Sequence, residues 1–228
     1  MAFPLFFIIF SSSVFMEMNW KFHLFHYGEK FATMEINHIL PNQEENMSIL
    51  VLYGSSRERG NSELLTNKVV ENINHTRVYL RDRQIQAIVD KRHTPEGFKP
   101  VADDYEDIVR QLLTHDILIF STPLYWYGMS GVMKDFIDRW SQSLRSSDYN
   151  FKEEVSRKQA YVIIAGGDNP RLKGLPLIQQ FAYIFDFVGM SFAGYIIGEG
   201  SKPGDVLSDA AALFEARELN RKLAQMRK

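Results

Sequence analysis

The chain contains no cysteine. Disulfides, thiolate zinc sites, iron–sulfur clusters and cysteine nucleophiles are therefore excluded, and nothing in the sequence calls for an oxidising compartment. A large charge of either sign is also missing: 26 Lys and Arg face 28 Asp and Glu over 228 residues, for a formal net charge of -2. A chain so nearly neutral generates no global field to draw in nucleic acid or an anionic membrane, so a small ligand or a local anion site fits better. The apolar run Phe3 to Phe10 falls well short of the roughly 20 residues that a membrane-spanning helix needs. With 45% hydrophobic and 24% charged residues, what remains is a globular composition, not a disordered, collagenous or coiled-coil one.

Aromatics and charge are unevenly spread. Residues 1–46 hold two lysines, Lys21 and Lys30, against five glutamates, together with ten of the 30 aromatics, and show no sustained period of 2 or 3.6. Residues 47–228 hold 24 basic and 23 acidic side chains, a net of +1. The first segment is therefore expected to lie outside the fold. Met47 is a candidate start: codons for Gln43-Glu44-Glu45-Asn46 can spell a purine-rich ribosome-binding sequence, and a strand pattern begins directly after it. An export signal is the rival reading, but no Lys or Arg precedes the apolar stretch and no convincing cleavage site follows Ser11-Ser12-Ser13. The 182 residues from Met47 to Lys228 amount to one domain.

Within that domain Ile49 to Tyr53, Asp116 to Phe120 and Tyr161 to Ala165 are continuous apolar runs, as strands buried on both faces must be. Val78 to Leu80 and Ser191 to Ile197 are shorter or interrupted candidates. Between them, apolar residues recur at helical spacing over Glu63 to Ile73, Asp103 to Leu113, Val132 to Leu144, Leu175 to Val188 and Asp205 to Arg227. Alternating strands and helices predict an α/β fold: a doubly wound, five-stranded parallel sheet with helices on both faces. Ligands of such sheets bind beyond the carboxyl ends of the strands, where the strand order switches.

The loop after the first strand runs Gly54-Ser55-Ser56-Arg57-Glu58-Arg59-Gly60-Asn61-Ser62. Small hydroxylated residues let the backbone curl round an anion, a helix N-terminus supplies free N–H groups, and Arg57 or Arg59 adds charge. The helix dipole alone is worth about 1–2 kcal/mol to a terminal phosphate. Five residues separate the glycines and no lysine follows, which excludes the nucleoside-triphosphate loop. The Gly-x-Gly-x-x-Gly fingerprint of dinucleotide sites is absent too, so a monophosphate suits this loop better than a pyrophosphate. Ser62 acting only as a helix cap is the plainer alternative.

After the second long strand comes Ser121-Thr122-Pro123-Leu124-Tyr125-Trp126-Tyr127-Gly128-Met129-Ser130-Gly131. Three consecutive aromatics in a loop flanked by Pro and Gly make a platform for a flat ring, unless they pack internally or against a second subunit. A phosphate site and an aromatic platform on neighbouring strand ends describe a flavin mononucleotide pocket.

Together, Gly-Ser-Ser-Arg-x-x-Gly-Asn-Ser and Thr-Pro-Leu-Tyr-Trp-Tyr-Gly-Met-Ser-Gly-x-Met-Lys-x-Phe-Ile-Asp-Arg resemble the NAD(P)H-dependent FMN reductase family, on its iron–sulfur-flavoprotein-like branch. The resemblance covers roughly Met47 to Arg227 and implies a flavodoxin-like fold. It implies that Ser55, Ser56, Arg57, Gly60, Asn61 and Ser62 hold the FMN phosphate, and that Pro123, Leu124, Tyr125, Trp126, Tyr127 and Gly128 border the ribityl chain and ring. Gly166 and Gly167, in Ala165-Gly166-Gly167-Asp168-Asn169-Pro170, resemble the segment beside the ring; an ordinary Gly-Gly-Asp turn is the alternative. The implied activity is a cytoplasmic oxidoreductase passing hydride from NAD(P)H to bound FMN, then electrons to a quinone, a nitro or azo compound, or free flavin. No catalytic side chain is required, because the cofactor carries the chemistry.

The branch's cysteine cluster before Asp103-Asp104 is missing, so no iron–sulfur relay is available. Residues 81–99 read instead as a surface excursion covering the pocket or meeting a partner. His75 and His115 have no ligand partners at metal spacing, and no metal is assigned. Lys134 and Arg139 read as surface charge opposite a core stripe of Met133, Phe136 and Trp140. The resemblance also suggests a homodimer or tetramer. A flavodoxin-type electron carrier is the alternative function, although such carriers are usually strongly acidic; a non-catalytic flavin sensor is a third.

Overall fold

Five runs of branched and aromatic residues pair side by side in a single all-parallel sheet. The computed structural model describes residues 47–226, so the expectations for residues 1–46, the start at Met47 among them, concern a segment outside the described residues. The elements are β1 (Ile49–Tyr53), α1 (Asn61–Val69), β2 (Thr76–Tyr79), α2 (Tyr105–Leu113), β3 (Ile117–Pro123), α3 (Gly131–Asp138) and α4 (Trp140–Ser143). They continue as α5 (Phe151–Ser156), β4 (Gln159–Gly166), α6 (Pro170–Lys173), α7 (Leu175–Val188), β5 (Ser191–Glu199) and α8 (Ala210–Gln225).

The spatial order is β2-β1-β3-β4-β5. From β1 the chain steps outward to β2, then crosses back to lay β3 on the other side of β1. The connections leaving β1 and β3 therefore diverge to opposite faces and open a crevice between their carboxyl ends. Register is carried by fully buried neighbours, Val51 beside Ile119 and Leu52 beside Phe120.

Period-2 alternation divides β1 between two cores. Ile49, Val51 and Tyr53 join Leu65, Val69, Ala212, Ala216 and Leu223 beneath α1 and α8. Leu50 and Leu52 join Ile108, Leu112, Phe136, Phe181 and Phe185 beneath α2, α3 and α7. Both faces are dry, which is why this strand is apolar at every position. Burying each large aliphatic or Phe side chain is worth about 1.5–3 kcal/mol.

The expected strands all form, with β3 extended to Pro123 and β4 to Gly166. Four of the five expected helices differ from the periodic reading, α2 only in starting at Tyr105. The first helix starts at Asn61 and stops at Val69, with Asn72 in the left-handed region at φ 60°. The expected helix over Val132 to Leu144 is divided at Arg139 into α3 and α4. Asp205–Ser208 is a separate 3-10 turn ahead of α8, whose cap is Asp209 accepting from the Ala212 N–H. Apolar periodicity registers which face is buried and is blind to such breaks when the buried face stays continuous.

Arg139 corrects a reading made from periodicity. It is buried, not surface charge: its guanidinium donates to Asp103 at 2.7 Å, with side-chain exposures of 3% and 1%, and lies over the Tyr105 ring at 4.4 Å. It also donates to the Gln86 carbonyl, while Asp103 accepts from the N–H groups of Gln86 and Tyr105. The ion pair thereby closes the base of the excursion that runs from Arg83 to Asp104. Lys134 does lie on the surface, paired with Asp138.

Candidate functional site

A cleft of about 390 Å³ opens at the carboxyl ends of the sheet, within the range of small-ligand sites. Its floor is the β1–α1 loop. Gly54 donates its N–H to the Ser121 carbonyl, continuing the β1–β3 ladder one residue beyond the strand. The Ser55 hydroxyl then donates to the Arg57 carbonyl at 2.9 Å and accepts from the Arg57 N–H at 3.1 Å, curling the chain on itself. Arg59 is left-handed at φ 51°. At Gly60 a Cβ would stand 2.8 Å from the Ser55 hydroxyl, so the close approach needs glycine there.

Gly60 is the cap of α1 and makes no side-chain cap bond, so Ser62 is a second-position helical residue and not the cap. Among the described residues no acceptor takes the N–H groups of Asn61, Ser62 and Glu63, the orphan donors expected of a first turn. The Ser62 hydroxyl is buried without a hydrogen-bond partner among the described residues, although its carbonyl accepts from Thr66 and Ser121 hydroxyls that pin this turn to β3. Arg57 borders the cleft and has no carboxylate partner among the described residues. The arrangement leaves unspent donors and a free guanidinium at a helix N-terminus, the features an anion site needs.

Asn61 also borders the cleft, but its side chain is spent elsewhere. Its amide donates to the Lys202 carbonyl at 2.9 Å and accepts from the Gly204 N–H at 2.9 Å, tying the β5–α8 connection to the cradle. Only its backbone N–H is left for a ligand.

The second wall follows β3. Ser130 caps α3 and its hydroxyl donates to the Gly54 carbonyl, while its N–H donates to the Thr122 hydroxyl. These buried bonds tie the two loops to each other. Pro123, Leu124 and Tyr125 line the cleft. Trp126 and Tyr127 form the tip of a tight turn closed by reciprocal bonds between Tyr125 and Gly128, with φ of 48° and 62°. Left-handed conformations cost non-glycine residues about 1–2 kcal/mol each, and such strain clusters at functional sites. Consecutive residues at such a tip point away from the strand ends: Trp126 is 96% exposed, and Trp126, Tyr127 and Gly128 stand outside the lining. Ser56 is exposed as well, its hydroxyl 3.5 Å from the Tyr125 hydroxyl.

The third wall is Ala165-Gly166-Gly167-Asp168. Leu124 donates its N–H to the Ala165 carbonyl and Gly200 to the Gly166 carbonyl, so the ends of β3, β4 and β5 are held in a row. A Cβ on Gly167 would fall 2.0 Å from the Ser201 hydroxyl; glycine is what lets the β4 and β5 loops touch. Tyr127 donates to the Asp168 carboxylate at 2.7 Å, and Lys173 donates to the same oxygen at 2.6 Å. Hydrogen bonds from Lys173 and then Tyr127 hold the Asp168 carboxyl below the usual carboxylate range.

Ten of the residues singled out from sequence thus converge on one cleft: Ser55, Arg57, Gly60, Asn61 and Ser62 on one side, Pro123, Leu124, Tyr125, Gly166 and Gly167 on the other. Gly200 and Ser201 complete it and were missed. The rule that ligands gather beyond strand ends applies equally to β5, but Gly194 interrupts the apolar run and hides where that strand ends; it sits at φ 156° beside a register shift. A wider groove of about 550 Å³ lies between α3–α4 and α7, far from any cradle of free donors.

Residues 47–223 match the family model for the flavodoxin-like fold. The chain belongs to that family. Along its flavodoxin-like domain it is 53% identical over 174 residues to a Bacillus subtilis protein named "putative NAD(P)H-dependent FMN-containing oxidoreductase YwqN", covering 76% of this chain and 96% of that one. A solved structure of the Trp repressor binding protein from Bacillus subtilis superposes with a TM-score of 0.64 at 47% identity, covering 75% of this chain and 97% of that one. An iron-sulfur flavoprotein of Methanocaldococcus jannaschii, MJ1083, is 26% identical over 193 residues, covering 79% and 97%. The present flavodoxin-like chain has no cysteine with which to ligate such a cluster. No helix among the described residues is long and apolar enough to cross a membrane.

Proposed function

We propose that the protein is an NAD(P)H-dependent FMN oxidoreductase acting on small electron acceptors such as quinones, azo or nitro compounds, or free flavin. The observation that carries this reading is the buried, partnerless Ser62 hydroxyl among the free N–H groups of the α1 first turn, beside an uncommitted Arg57. A dianionic phosphate satisfies all of these donors together. The FMN-containing relative, which this chain covers almost end to end, and the FMN-dependent NADH:quinone oxidoreductase of Burkholderia lata, 26% identical over 196 residues, support it.

In this assignment Ser55, Arg57, Asn61 through its backbone, and Ser62 hold the phosphate, while Ser56 stands at the rim. Gly60 gives the backbone its close approach. Pro123, Leu124 and Tyr125 would border the ribityl chain and ring, and Gly166 and Gly167 would offer them bare backbone. Trp126, Tyr127 and Gly128 form the outer lip, where an incoming nicotinamide or acceptor first meets the protein. When bound, FMN supplies the two-electron exchange between nicotinamide and acceptor. The protein's own contribution would be positional: backbone N–H groups of the second and third loops would be the groups to meet negative charge on a reduced ring, and the Asp168–Lys173 pair holds a carboxylate at the mouth. A cytoplasmic setting, where NAD(P)H is supplied, belongs to this proposal.

The test is a visible spectrum of the purified full chain with added FMN, before and after NADPH and NADH. Saturable binding and bleaching by at least one nicotinamide, reversed by a quinone, is expected. Binding with reduction by dithionite but by neither nicotinamide would make the protein a carrier, and failure to bind FMN would remove the cofactor.

A second copy of the chain is proposed to cover the groove between α3–α4 and α7, where Tyr183 and Phe187 are each 66% exposed. Large aromatics of this kind are anchors of subunit interfaces. Tyr183→Glu with Phe187→Glu is expected to shift the protein to monomer in light scattering at micromolar concentration; an unchanged mass would refute this interface.

A further inference from the structure

The β1–α1 loop is exposed over Arg57 to Arg59 and includes a left-handed arginine, so beyond its own Ser55–Arg57 bonds it is braced by side chains outside it. The agent is Glu63, buried in the first turn of α1, and Arg81, from the 3-10 turn that follows β2. One Glu63 carboxylate oxygen accepts from the Arg59 N–H at 3.1 Å and from the Arg81 guanidinium at 3.0 Å. The same Arg81 nitrogen lies 3.4 Å from the Arg57 carbonyl. Its guanidinium rests over Tyr79 at 4.5 Å, and Tyr79 stacks on Tyr53 at 4.7 Å. With side-chain exposures of 14% for Arg81 and 8% for Glu63, the pair is a little-solvated clamp with one contact at each end of the loop's crest.

The pair has an electrostatic duty besides the geometric one. Glu63 places a carboxylate at the same helix terminus that is to receive an anion, where like charges repel. Little solvent reaches it to screen that repulsion. Arg81 offsets the charge from behind the loop, leaving Arg57 in front of it.

We infer that Arg81 is a positioning and charge-masking residue for the anion site, acting through Glu63 and selecting a phosphorylated over an unphosphorylated flavin without touching the ligand. The inference rests on the FMN reading above. A purely structural ion pair would make removal of either partner harmful. The masking role predicts opposite signs: Arg81→Met exposes the loop to an unpaired carboxylate, whereas Glu63→Gln keeps an oxygen for the Arg59 N–H and removes the repelling charge.

The experiment titrates the full chain with FMN and with riboflavin, following flavin fluorescence, in wild type, Arg81→Met, Glu63→Gln and the double variant. Arg81→Met is expected to weaken FMN about 30-fold while moving riboflavin by less than about threefold, the scale of one lost charge-assisted interaction. Glu63→Gln is expected to bind FMN at least as tightly as wild type, and the double variant to regain most of the loss. Equal weakening of both flavins by Arg81→Met, or a Glu63→Gln variant about tenfold weaker for FMN, overturns the inference; should Arg81→Met fail to fold, the sign of the Glu63→Gln effect decides. A wild type that shows no preference for FMN over riboflavin instead brings down the phosphate reading itself. A wild type that discriminates, beside an Arg81→Met that discriminates equally, brings down the clamp alone.

Discussion

Replacing Arg57 and Ser62 together with alanine is expected to weaken FMN binding about 100- to 1,000-fold, from two charge-assisted hydrogen bonds lost to a phosphate. Free riboflavin, which lacks that phosphate, should bind the variant and the wild type with nearly equal affinity. Stability should barely change, because the Ser62 hydroxyl has no partner among the described residues and Arg57 is exposed. A buried serine whose removal costs little stability but much affinity is the signature of a donor kept for a ligand. Isothermal titration with the two flavins, alongside thermal melts, separates the outcomes: equal loss of both flavins would show the cradle to be misplaced.

The largest expected effect on stability lies elsewhere, at Arg139. Arg139→Met keeps much of the side chain's volume but strands the Asp103 carboxylate, 1% exposed, without its partner. Breaking a buried pair in this way costs about 3–5 kcal/mol, or roughly 10 °C in melting temperature for a domain of this size. Burial alone would raise the Asp103 pKa, but hydrogen bonds from the Gln86 N–H, the Arg139 guanidinium and the Tyr105 N–H outweigh it, and the carboxyl lies below its ordinary value.

A depressed carboxyl contributes stability above its unfolded-state pKa and loses it as pH falls through the folded-state one. Arg139→Met raises that lower limit, so acid unfolding should begin at higher pH than in wild type. Adding Asp103→Asn, which keeps one acceptor oxygen for a backbone N–H and removes the stranded charge, should recover part of the loss. Chemical denaturation across pH 3 to 7 checks each step, and a double variant no better than Arg139→Met would reject the charge argument.

The sheet could be read in advance because a parallel strand buried on both faces has no polar positions, and Ile49 to Tyr53 is apolar throughout. Loop positions followed from the same logic, since the order of strands and helices dictates which ends face the crevice. Local spacing could not show where individual polar side chains would be spent. Asn61 reads like a phosphate ligand among serines and glycines, yet a residue 141 positions away claims its amide. Arg139 sits at a helical position that periodicity assigns to the surface, and only the fold brings Asp103 beneath it. Trp126 and Tyr127 share a run with Tyr125, but a two-residue turn sends them out while Tyr125 stays within. Glu63 and Arg81 likewise meet only once β2 is laid against β1.

The bond pair made by Asn61 has a mechanical consequence. Because one amide grips Lys202 and Gly204 from the first helix of the domain, the floor of the cleft and its far side are tied directly to each other. The aromatic lip is linked to its surroundings at the tip by the Tyr127–Asp168 bond, by Lys173 over the Tyr127 ring and by the rim contact of Tyr125. Any breathing that admits a bulky acceptor must therefore be borne by the lip, and swapping that short segment between relatives should alter which acceptors enter without disturbing how the cofactor is anchored.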